Sequence, residues 1–168
     1  MEVFDVVRTV LAVRQFQDKA IPEPLVRRIV ESAHLTASSR NGQPWHFVVV
    51  ENKDTLRQLG TLARTGPYIA QAPLAIVVCM EQSPYALSDA SRAIQSMILT
   101  AWEQGIGSNW VGFANLKEVN ALLGIPEQIE ILGIIPFGYP VQTIGKGKKK
   151  RRPLGEIAHR ERWEQPFE

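Results

Sequence analysis

An α+β domain is what this sequence predicts, on three observations. Helical and extended apolar patterns are mixed along the chain, with too few regular β-α-β units for a doubly wound sheet. The 168 residues are 45% hydrophobic and 21% charged, which suits one compact core. No repeat or linker divides the chain, so residues 1–168 are expected to form a single domain.

Val3, Val6, Val7, Val10 and Leu11 fall on one helical face and predict a first amphipathic helix. Pro22 and Pro24 open a second, with Leu25, Val26, Ile29, Val30 and Ala33 as its inner stripe. Trp45 to Val50 has the apolar run of a buried strand. A weaker helix covers about 53–63, and Gly66-Pro67 interrupts it before Pro73 introduces a strand over 74–80.

Ser88 is the expected cap of the longest helix, with Asp89 in its first turn. That helix turns Ala90, Ala93, Ile94, Met97, Ile98, Ala101 and Trp102 inward and stops at Gly105. A short strand is expected over Ser108 to Phe113. A small helix follows, capped by Asn115 with Glu118 three residues on and ended by Gly124. Ile129 to Phe137 is the last strand, broken by Gly138-Tyr139-Pro140.

Composition excludes several function classes. A net charge of +2 argues against a wholesale nucleic-acid coat. The basic run at 146–152 has no interleaved aromatic residues and no nucleic-acid readout motif, so a solvated loop competes with nonspecific binding there. No apolar run approaches membrane-span length, and Glu2 and Asp5 stand where a signal peptide would be basic, so a cytoplasmic protein is expected. Cys79 is the single cysteine, inside an apolar strand, and is expected to be a buried structural thiol. His34, His46 and His159 lack ligand spacing, so no metal site is expected. No Gly-x-Ser-x-Gly elbow or phosphate-binding Gly-rich loop occurs.

Residues 141–168 are too basic for a core, yet Leu154, Ile157, Trp163 and Phe167 call for burial. A tail that wraps a second copy of the chain reconciles the two, which points to a homodimer.

Ala37 to Trp45 joins turn chemistry, a hydroxyl pair and an aromatic anchor between two ordered elements. Alone, it also fits an ordinary helix-to-strand connection. Three more segments stand beside it: Arg14-Gln15-Phe16, then Gly105-Ile106-Gly107-Ser108-Asn109-Trp110-Val111-Gly112, then Gly138-Tyr139-Pro140 with Lys150-Arg151-Arg152-Pro153-Leu154. In this order, and over nearly the whole chain, the segments resemble the nitroreductase family of flavin enzymes.

The resemblance implies a central, mostly antiparallel sheet flanked by helices, in a homodimer with flavin sites at the subunit interface. It implies FMN as cofactor, with hydride passing from NAD(P)H through the flavin to a small nitroaromatic, quinone or enone acceptor by a ping-pong cycle. Arg14, Lys150 and Arg152 would hold the phosphate. Ser38, Ser39 and Asn41 would reach the flavin of the partner subunit, and backbone groups of Trp110, Val111 and Gly112 would meet the ring edge. No catalytic side chain is implied, because FMN carries its own redox chemistry.

One segment departs from the family pattern. Val10, Leu11 and Ala12 stand where the family has Arg and Ser at the first and third positions. Two lost hydrogen bonds to a charged phosphate cost about 3–6 kcal/mol, or about two to four decades of affinity, if nothing compensates. Val10 and Leu11 also fit the core stripe of the first helix. A flavin- or nucleotide-binding protein of the same fold without turnover is the alternative reading.

Overall fold

The computed structural model describes residues 2–112, 116–142 and 149–167. Its helices are α1 (Val3–Thr9), α2 (Glu23–His34), α3 (Lys53–Leu62), α4 (Ala86–Glu103) and α5 (Leu116–Leu123). Its strands are β1 (Trp45–Val50), β2 (Leu74–Met80), β3 (Gly107–Ser108) and β4 (Glu130–Gly138), in the order β1-β2-β4-β3. Every neighbouring pair is antiparallel, and helices cover both faces, so the α+β expectation holds.

Strand β2 is buried along its whole length because both of its faces are covered. Period-two alternation sends Leu74, Ile76, Val78 and Met80 to one side, where Ile29 and Ala33 of α2 and Ala93, Ile94 and Met97 of α4 meet them. Ala75, Val77 and Cys79 face the other side, against Leu56 and Leu59 of α3 and Val119 of α5. Cys79 is buried as expected, and burial pushes its thiol up to about 11. No helix among the described residues is long and apolar enough to cross a membrane.

Several expected boundaries shift for identifiable reasons. Helix α1 stops at Thr9, so Val10 caps it and Leu11 lies outside it. Val3, Phe4 and Val7 do not join a core: their exposures are 77%, 75% and 45%, and only Val6 and Thr9 of this helix are buried. Ser88 is not the cap of α4. The helix begins two residues earlier, and the Ser88 hydroxyl donates back to the Tyr85 carbonyl. The strand expected over 108–113 is shorter: Gly107 and Ser108 pair with β4, and beyond them Val111 makes a single bridge to Ile134. The Asn115 cap lies outside the described residues.

Candidate active site

The Arg14 segment is laced into the sheet by backbone hydrogen bonds. The Val13 N–H donates to the Ser108 carbonyl (2.8 Å), the Gln17 N–H to Tyr139 (2.8 Å), and the Val141 N–H to Gln15 (3.2 Å). Glycines permit this close approach. A Cβ on Gly107 would overlap the Val13 side chain, and one on Gly138 would sit 2.8 Å from the Phe16 ring. Arg14 therefore projects, exposed, from a strip fixed on both sides. Ala12, Arg14, Gln15, Pro140 and Val141 line a hollow of about 270 Å³ there.

The chain beyond β3 runs on along β4. Val111 exchanges both backbone hydrogen bonds with Ile134, at 3.0 and 2.9 Å, and its side chain is buried. The ladder alternation then turns the backbone groups of Trp110 and Gly112 away from β4. Gly133 makes room for Trp110, since a Cβ there would lie 2.5 Å from the indole nitrogen. Tyr68 accepts a hydrogen bond from Asn109 and fixes the residue before it. Gly112 borders a cleft of about 640 Å³ shared with Glu81, Ser83, Leu87 and Leu132.

The loop at 38–43 is held in an unusual conformation. Arg40, Asn41 and Gln43 have φ of 55°, 55° and 47°, a region that non-glycine residues seldom occupy. Hydrogen bonds over-determine it. Ser38 Oγ accepts from the Gln43 N–H at 3.0 Å, and the Gln43 amide donates to Asn41 Oδ1 at 3.2 Å. Ser39 gives both its N–H and its hydroxyl to the carboxylate of Asp89, each at 3.0 Å. Asp89 is 1% exposed and also pairs with Arg92. Burial alone would raise its pKa, but the bonds from Ser39 and the Arg92 guanidinium outweigh it and hold the carboxyl below its ordinary value.

The basic segment reaches α1 through a residue that spacing did not single out. Lys149 Nζ donates to the Val7 carbonyl at 2.6 Å, one turn before Val10. Lys149 is partly desolvated and near Arg151, and both effects lower its pKa. Lys150 and Arg152 are exposed, and Arg152 pairs with Glu156 at 3.1 Å. Residues 146–148 lie outside the described residues.

These parts form two groups in one chain. The 38–43 loop hangs on Asp89 in the first turn of α4. The Arg14 strip follows the other end of α4, where the Ile106 N–H bonds the Ala101 carbonyl just before Gly107. Twelve residues of helix separate Asp89 from Ala101, about 18 Å at ~1.5 Å per residue.

A model of the nitroreductase family matches residues 8–83 and 65–139, which takes in the Arg14 strip, the serine loop and the Trp110–Gly112 segment. The chain belongs to the nitroreductase family. Among curated relatives of this nitroreductase-family chain, a Methanothermobacter thermautotrophicus protein provisionally named NADH dehydrogenase/NAD(P)H nitroreductase is 32% identical over 154 residues, covering 86% of this chain and 81% of the relative. An Archaeoglobus fulgidus protein of the same name is 31% identical over 172 residues, covering 96% and 99%. Among solved structures, an FMN-dependent nitroreductase from Clostridium difficile superposes with a TM-score of 0.84 at 25% identity, covering 95% of this chain and 99% of that one. The nitroreductase fold expected from the motifs is thereby established.

Sequence reasoning missed Asp89 and Lys149. Asp89 showed only as an acid favoured in a first helical turn, because its partner lies fifty residues away. Lys149 was one cation in a run, and only the fold distinguishes it from its neighbours.

Proposed function

We propose that this nitroreductase-family chain is an FMN-dependent oxidoreductase that uses NAD(P)H to reduce a small organic acceptor of nitroaromatic, quinone or enone type. The observation that carries the reading is the rigid strip formed by Arg14, β3 and residues 139–141, with a small hollow beside the guanidinium. A cation next to a hollow suits a phosphate, and the backbone groups of Trp110 and Gly112 suit a polar ring edge.

Lys149 and Arg151 supply the remaining charge. The Arg151 guanidinium lies close enough to depress the Lys149 ammonium, and Lys149 is the one that reaches α1. An ammonium has three donors, so the bond to Val7 leaves two for a phosphate. This offsets the missing Arg and Ser at Val10 and Ala12. Lys150 and Arg152 then take a lesser part, with Arg152 already engaged by Glu156.

FMN, when bound, would supply the redox chemistry that links NAD(P)H to the acceptor in a ping-pong cycle. The chain's own residues bind the phosphate, present donors to the ring edge and leave a cleft beside Gly112 for the second substrate. The site is shared between two copies. Ser38, Ser39 and Asn41 hang by Asp89 at the start of α4 while the Arg14 strip docks beyond its other end, and a second copy brings its own serine loop to that strip.

The test is the visible spectrum of the purified protein after FMN is added and the excess removed, followed by anaerobic addition of NADH or NADPH. A retained flavin spectrum that bleaches on addition, with parallel double-reciprocal plots against acceptor, is the expected result. Retained flavin that neither nicotinamide bleaches would favour a binding protein without turnover. No retained flavin would overturn the reading.

A further inference from the structure

The serine pair of the 38–43 loop is not two equivalent hydroxyls. Ser39 Oγ lies 3.0 Å from Asp89 Oδ1, and the Ser39 N–H lies 3.0 Å from Oδ2. An ionised carboxylate only accepts, so the Ser39 hydroxyl proton is committed to Asp89. What Ser39 can still offer a ligand is a lone pair. Ser38 is the reverse: its oxygen accepts the Gln43 N–H, and its own proton has no acceptor among the described residues.

We infer that Asp89 is a positioning residue that fixes Ser39 as an acceptor, so that Ser38 and Ser39 together read a ligand edge bearing an acceptor beside a donor. Asp89 touches no ligand in this arrangement. It acts through Ser39, and Arg92 holds the carboxylate from the other side. The same bonds pin the start of the stretch that holds the left-handed residues Arg40, Asn41 and Gln43. A bare structural anchor would need only the Ser39 N–H. The second bond, to the hydroxyl, adds a polarity that packing does not require.

The inference rests on FMN being the ligand, and the experiment separates the two claims. FMN dissociation constants are measured by flavin fluorescence for the wild type, Asp89→Asn, Ser39→Ala and the double variant. Asn at position 89 keeps an oxygen for the Ser39 N–H but turns a donor toward the hydroxyl, reversing its polarity. Each single variant is expected to weaken FMN about tenfold, the scale of one hydrogen bond to a neutral group. The double variant is expected to match the singles, because Asp89 has nothing to act through once the hydroxyl is gone. Both singles should shift the visible bands of bound flavin in the same direction.

Independent, multiplying losses in the double variant would overturn the inference, as would wild-type affinity in Asp89→Asn. Ser39→Ala leaves Asp89 paired with Arg92 and the Ser39 N–H, so the Ser39 half of the test survives if Asp89→Asn fails to fold. A tenfold loss with shifted bands in Ser39→Ala alone then supports the acceptor role, and unchanged binding there overturns it. Wild-type protein that binds no FMN overturns both the functional reading and this one.

Discussion

Asp89 places a charge where burial opposes it, and three hydrogen-bonding or ionic contacts make the charged form the favoured one. A carboxyl held below its ordinary value stabilises the fold at pH above the unfolded value of about 3.9, and that contribution is lost as pH falls through the folded value. Wild-type thermal midpoints should therefore drop on acidification below about pH 4 more steeply than those of Asp89→Asn. Midpoints measured across that range check this, and identical acid limbs in the two proteins would contradict it. Nothing local to Asp89 announces this role in sequence. The serine motif was legible, but the residue that orients it stands in another element.

At the scale of elements, the most consequential join is the strip on β3. Gly107→Ala should push Val13 out of place, lower stability by about 1–3 kcal/mol and weaken FMN at least tenfold, because Arg14 is carried by the same strip. The contrast is Asn52→Ala at the start of α3, where Asn52 Oδ1 accepts from the Asp54 and Thr55 N–H groups. Removing that cap should cost about 1 kcal/mol and leave FMN binding unchanged. Thermal melts paired with flavin titrations distinguish the two. Capping and periodicity made the long elements legible: α2, α3, β1, β2 and β4 lie within a residue or two of where the pattern put them. The region after Gly105 was not. A two-residue strand and a lone bridge leave too short a pattern to measure, and Ser88 looked like a cap only because hydroxyls also serve inside a first turn.

At the scale of the molecule, several large apolar side chains of the described residues stand exposed on one chain. Val3 and Phe4 on α1 and Leu154, Ile157, Trp163 and Phe167 in the tail are exposed by between 43% and 79%. Periodicity put Val3 and Val7 on one apolar face with Val6, but only Val6 is buried, because a face read from sequence carries no mark of what covers it. On the proposed shared site, Phe4→Glu should leave a monomer in sedimentation and release flavin with it. A dimer that persists in Phe4→Glu and Trp163→Glu alike would place this surface outside the subunit contact.

The lacing of residues 12–17 also sets an order of assembly. These residues leave the ribosome early, yet their partners are Ser108, Tyr139 and Pro140, about a hundred residues later. The arm that carries Arg14 is therefore expected to dock after β4 and β3 have met, since closing so long a loop is slow. Its docking is expected late in folding, and the hollow beside Arg14 takes shape only with that step.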